Sequence, residues 1–226
     1  MRILHHLPLC PYSRKVRLVL GERQLAVELR AEKTWERRPE YLQLNPAGLV
    51  PTLIDENGRA VPDSSVICEY LEEAYNSETG EGTLLGTSLA DRVEARRLVA
   101  WFDGSFAAAV TMNFVIEKYL KRISGRGQPD AQALRLAYAS LREHLAYIGW
   151  LAGSRSFLAG EMLSLADLAA AAHVSVLDFL GEIDWAQFPE VREWYARIKS
   201  RRSFRPLLND RVPGMTPPDH YVDLDF

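Results

Sequence analysis

Leu7-Pro8-Leu9-Cys10-Pro11-Tyr12-Ser13-Arg14-Lys15-Val16-Arg17 is the stretch whose reading decides the fold. Arg2 to His6, just before it, reads as an extended strand. Pro11 suits the first position of a helix, where its missing N–H costs nothing. The stretch therefore runs a strand into a turn that delivers Cys10 to a helix N-terminus. Further along, Asn45-Pro46-Ala47-Gly48-Leu49-Val50-Pro51-Thr52-Leu53 reads as a proline-stiffened loop entering another strand.

Working outward, residues 11–22 carry a helical pattern, residues 26–31 an extended one, and residues 52–55 and 60–61 two short strands around an Asn57-Gly58 hairpin turn. A helix is predicted from Ser64 to about Asn76, with Ile67, Leu71 and Ala74 on one face. Residues 1–77 thus predict a small α/β domain. Residues 78–87, which hold Gly80, Gly82 and Gly86, predict a linker. From Ser88 the periodicity is helical, with runs near 88–123, 129–151, 164–180 and 188–202, so residues 88–205 predict an all-helical domain. Within it Ser164 and Asp167 form a capping-box pattern, with Leu163 placed to staple onto Leu168; this is a folding element, not a site.

A length of 226 residues suits one large or two modest domains, and 47% hydrophobic with 25% charged residues is an ordinary globular composition. Arg211 stands alone against Asp210, Asp219, Asp223 and Asp225, so residues 206–226 carry the whole net charge of −3. A balanced body with a pI near 6.0 gives no electrostatic footprint for nucleic acid. Two cysteines, Cys10 and Cys68, are too few for a disulfide scaffold and fit a reducing compartment. The longest uncharged run in the helical region, residues 104–116, falls well short of the ~20 apolar residues that cross a bilayer, so no membrane insertion is expected. Arg2, His5-His6 and Arg14-Lys15 leave no apolar signal segment, and a cytoplasmic location is expected. His5, His6, His144, His173 and His220 show no metal-like spacing, and no metal is predicted.

A thiol at a helix N-terminus meets unpaired N–H groups and the positive end of the helix dipole, both of which favour thiolate. Cys10 is therefore a candidate nucleophile, set against the plainer reading of a small residue tolerated in a turn. Ser13 stands where a resolving cysteine would, so chemistry here is monothiol. Cys68, beside Ile67 and Leu71, reads as a buried small hydrophobe. Trp35 lies in the charged loop Lys33-Thr34-Trp35-Glu36-Arg37-Arg38, where a binding surface and packing against the helical domain are both open readings.

The Cys10-Pro11-Tyr12 turn beside Val50-Pro51 resembles the layout of thioredoxin-like domains, and the whole chain resembles the cytosolic glutathione transferases. That resemblance implies a thioredoxin-like N-terminal domain followed by a helical bundle. It implies that Pro51 is cis and leaves Val50 to pair with the backbone of glutathione. It also implies that Asp63-Ser64 matches the Glu/Gln-Ser pair that holds the γ-glutamyl carboxylate at a helix N-terminus. Asp for the longer residue is a departure, and Ser64 can equally cap its own helix. The cysteine motif resembles that of glutaredoxins and omega-like transferases, which form mixed disulfides with glutathione.

After Arg205-Pro206 the helical pattern stops. Tyr221, Asp223 and Asp225 alternate with Val222, Leu224 and Phe226, which predicts an extended acidic tail that packs on its own body or binds a partner. This tail, the Trp35-Glu36 loop and the turn at residues 125–130 are similar to a group of bacterial transferase-like proteins that bind the tubulin homologue FtsZ. The similarity implies a homodimer that acts on FtsZ filaments at the division site, requires no glutathione, and uses Trp35, Asp219, Tyr221, Asp223, Asp225 and Phe226 as partner-binding residues. The alternative it implies is a glutathione transferase or glutathione-dependent thiol transferase using Cys10.

Overall fold

Strand β1 (Arg2–His6) lies inside a four-stranded sheet of order β2-β1-β3-β4. It pairs parallel with β2 (Val27–Ala31), Leu4 opposite Leu29, and antiparallel with β3 (Thr52–Ile54), Leu4 opposite Leu53. The hairpin through Asn57-Gly58 sets β4 (Ala60–Pro62) antiparallel to β3. Helix α1 (Pro11–Glu22) makes the parallel crossover between β1 and β2, and the short α2 (Pro39–Leu44), which is not among the predicted elements, precedes β3. This computed structural model describes residues 1–79 and 82–224, with side chains described outside 76–79.

Helix α3 (Ser64–Thr79) follows β4 and buries Ile67, Cys68 and Leu71 against the sheet. The described residues that follow, from Gly82, are tied to the first domain. Leu84 and Leu85 are buried, and Glu72 accepts from the Leu84 N–H at 2.9 Å and the Thr83 hydroxyl at 3.0 Å while pairing with buried Arg23. A buried carboxylate needs donors on each lone pair, and this one recruits the connecting chain.

The helical domain begins with α4 (Leu89–Ser124), opened by a Ser88/Asp91 capping box and closed at Gly125, whose φ of 67° only glycine adopts readily. Residues 101–111 and 115–120 of α4 are π-wound. By length and composition α4 could cross a bilayer, which corrects the sequence reading: the uncharged run is short, but the helix extends well past it. Here Phe102, Phe106, Val110 and Phe114 of α4 are buried in the protein core. Helix α5 (Ala131–Ser154) packs on α4. Helix α6 (Leu165–Leu180) runs through the centre with every residue from Leu165 to Phe179 buried. The Ser164/Asp167 capping box forms as read, and the Asp167 carboxylate also takes the Leu158 N–H and the Trp194 indole N–H.

Helix α7 (Pro189–Lys199) and the short α8 (Arg205–Leu208) complete the bundle. As far as it is described, to Leu224, the tail differs from the extended strip predicted for it. Val212 bridges to Met215, and Asp219–Tyr221 form a 3₁₀ turn that drives Tyr221 fully into the core. Prolines exclude a long helix but not a single turn, and an aromatic ring gains more from burial than extension offers.

Candidate functional site

Cys10 is the residue immediately before α1, with extended φ/ψ of −83°/116° and Pro11 as the first helical residue. Its N–H donates to Leu7 O at 3.1 Å and its carbonyl takes the Arg14 N–H, closing the turn. The thiol is buried and donates to Val50 O at 3.8 Å. Burial pushes the Cys10 thiol up, and it outweighs the hydrogen bonds from Ser13 and Tyr12 that favour thiolate. The expectation of a lowered pKa is thus reversed, because the helix end is offset by loss of water around the sulfur. Cys68 is fully buried and pushed up to about 12 by burial, in keeping with a packing role.

The Val50–Pro51 peptide is cis, and Val50 O faces the Cys10 thiol. Asp63 has a φ of 72°, a conformation uncommon outside glycine but tolerated by Asp. Its carboxylate accepts from the N–H groups of Ser65 (2.7 Å) and Val66 (3.2 Å). Asp63 therefore caps α3, while Ser64 is its buried first residue; the capping role assigned to Ser64 belongs to its neighbour. Two amides at this helix end already hold a carboxylate.

Beneath these residues lies a buried polar cluster that the sequence did not reveal. Lys15 is fully buried; it pairs with Asp103 of α4 and reaches Ser65 Oγ at 3.4 Å. Asp103 also meets His173 Nε2 at 3.3 Å, and His173 Nδ1 meets Thr111 Oγ1 at 3.0 Å. Since a carboxylate only accepts, Nε2 carries the proton and Nδ1 accepts from Thr111. Burial lowers the His173 pKa despite Asp103, so the ring is neutral. Burial raises the Asp103 carboxyl, but the His173 hydrogen bond and the Lys15 charge bring it below its ordinary value. Tyr12 closes the top by donating to Asp103 O at 3.1 Å. This cluster joins α1 and α3 of the first domain to α4 and α6 of the second. Lys15 finds its partner only when α4 docks against the first domain.

Trp35 is half-buried in a 3₁₀ turn (Thr34–Glu36), and its carbonyl accepts from Arg126 at 3.2 Å. Arg122, one turn earlier, donates to Gly214 O in the tail. The C-terminal end of α4 thus meets the Trp35 loop on one side and the tail on the other. The Trp35 loop is thus tied to the residues just past α4, and part of the Trp35 surface reaches solvent. Asp219 and Asp223 are exposed, whereas Tyr221 is inaccessible, which corrects its place among surface contact residues. Asp225 and Phe226 lie outside the described residues. Among the described residues, no group of three or more His, Cys, Asp or Glu is arranged to hold a metal ion.

Residues 4–79 match the glutathione S-transferase N-terminal domain and residues 131–197 the glutathione S-transferase C-terminal domain. The chain is 46% identical to FtsZ-localized protein A of Caulobacter vibrioides over 100% of its own length and 98% of that protein's. Its fold superposes on the crystal structure of a glutathione S-transferase from Rhodospirillum rubrum with a TM-score of 0.94 at 47% identity, covering 100% of both chains. It superposes on FzlA from C. crescentus with a TM-score of 0.93 at 45% identity, covering 100% of this chain and 99% of that one.

Proposed function

Because this chain belongs to the glutathione S-transferase family, we propose that it uses that fold as a binding scaffold: a cytoplasmic cell-division factor that attaches to FtsZ filaments at the division site and needs no cofactor. The observation that carries this is the 46% identity to FtsZ-localized protein A, which runs through both domains and the tail. The site chemistry agrees with it. The Cys10 thiol is pushed up by burial and is engaged with Val50 O, the carbonyl a bound peptide would use, and Asp63 occupies amides that an anion would need. In this reading the contact residues are Trp35, Asp219 and Asp223, together with Asp225 and Phe226 of the sequence, and the buried Tyr221 serves as their anchor.

We further propose a homodimer, paired through the exposed apolar side chains Val66 of α3 and Leu89 and Val93 of α4. A two-fold pair offers two equal filament sites and so multiplies weak contacts. Co-sedimentation with polymerised FtsZ, run beside glutathione titration calorimetry, tests the reading. Co-sedimentation without glutathione heat is expected; glutathione binding without co-sedimentation would overturn it.

One observation favours a second reading, glutathione-dependent thiol transfer. Ser13 is buried three residues after Cys10 at the start of α1, where its hydroxyl can donate to a Cys10 thiolate. In that reaction the thiolate would attack glutathione mixed disulfide, forming the Cys10–glutathione bond and releasing the substrate thiolate.

A further inference from the structure

The tail meets the body at a buried pair of opposite charges. Asp178 of α6 and Lys199 of α7 are both fully buried, with Nζ and Oδ2 3.5 Å apart. Asp178 also accepts from the Trp185 indole and the Tyr195 hydroxyl, each at 3.1 Å. From the tail, His220 Nε2 lies 3.0 Å from Asp178 Oδ1, and Lys199 Nζ donates to the His220 carbonyl at 2.9 Å. That carbonyl also accepts the Asp223 N–H at 3.2 Å. Tyr221 stands between them, its ring edge-on to Phe179 at 5.2 Å and with Lys199 Nζ 5.8 Å from its centre.

A buried ion pair is a poor device for stability, because desolvating both charges costs about what their attraction returns. What it supplies is direction, since each charge demands a partner in one place. Here the tail furnishes those partners with one side chain and one carbonyl, and the same carbonyl fixes the backbone of the next turn. Val222 is 55% exposed although the backbone on either side of it is bonded.

We propose that Asp178 and Lys199 form a socket that sets the direction in which the chain leaves the body after Tyr221, presenting Val222 and Asp223 to FtsZ as a preorganised apolar and acidic contact. This rests on the reading above that the tail meets FtsZ. Asp178, Lys199 and His220 are positioning residues that touch no partner. Fixing the peptide before binding removes the ordering cost that a loose tail would meet on association.

Two variants test it in the full chain. His220→Ala removes a side chain that is 35% exposed and so leaves the core intact. The double variant Asp178→Asn/Lys199→Met neutralises the pair together, leaving no lone buried charge. Hydrogen exchange at the Asp223 amide reads the socket, and co-sedimentation with FtsZ filaments reads the consequence. Expected are exchange faster by about tenfold or more, unchanged far-ultraviolet circular dichroism, and an affinity loss matching truncation after Val222. Unchanged exchange in the His220→Ala protein overturns the socket. Faster exchange with undiminished FtsZ binding overturns the claim that direction matters. Absence of FtsZ binding by the unaltered protein overturns the functional reading instead, while exchange still decides whether the socket holds the tail.

Discussion

The Tyr221 hydroxyl donates to the Leu207 carbonyl at 3.2 Å, so the 3₁₀ turn Asp219–Tyr221 is bonded to helix α8, fourteen residues before it. The ring is fully buried. A residue that sequence alone offers as a surface contact is thus a core residue, and the tail beyond it inherits a fixed starting point.

Removing Tyr221 therefore excavates the core. Tyr221→Ala is expected to cost about 3–5 kcal/mol, the usual range for a buried aromatic, and Tyr221→Phe about 0.5–1.5 kcal/mol for one hydrogen bond. Urea unfolding measures both. A truncation beginning at Asp219 should destabilise like Tyr221→Ala, whereas truncation after Val222 should leave the midpoint nearly unchanged.

Cys10 should react slowly with iodoacetamide at pH 7 and faster as pH rises beyond the ordinary thiol range, because burial favours the protonated form. Ser13→Ala should slow alkylation further by removing a donor to the thiolate. Cys10→Ser should leave FtsZ co-sedimentation unchanged; its loss would return the thiol to the centre of the function.

Asp103→Leu would leave buried Lys15 without its carboxylate, and breaking such a pair typically costs about 3–5 kcal/mol. The double variant Lys15→Met/Asp103→Leu should recover much of that loss. If thermal denaturation shows the single and double variants equally unstable, the carboxylate serves His173 rather than Lys15.

His6 is lowered to about 4, chiefly by burial and then by the Arg17 charge, against the opposing pull of Asp210. With its folded pKa below the unfolded value of 6.5, the unfolded chain takes up the proton first, so stability is full above about pH 6.5 and falls as pH drops toward 4. At about 1.4 kcal/mol per unit the loss is on the order of 3 kcal/mol. His6→Gln should flatten the urea midpoint between pH 6.5 and 4.5; an unaltered slope there would assign the acid loss to other groups.

Asp63→Ala is expected to cost about 1 kcal/mol through loss of the α3 cap, with Asp63→Asn near the parent value. Thermal midpoints distinguish the two. Equal loss in both variants would show that the charge, and not the hydrogen bonds, is what the helix end uses.

The parts written in local order were legible from sequence alone. Pro11 at a helix start, the Asn57-Gly58 turn, the Ser164/Asp167 box and the helical spacing after Ser88 each act within a few residues, so the chain determined its two-domain fold and the place of Cys10 without tertiary help. Tertiary structure decided the state of each group. Burial raised the Cys10 thiol against the helix end, docking of α4 gave Lys15 its partner, and a socket on α6 and α7 turned an acidic strip into an anchored one. The physical reason is desolvation. The cost of removing water from a thiol, an ammonium or a carboxylate depends on which distant surfaces close over it, and no spacing along the chain records that.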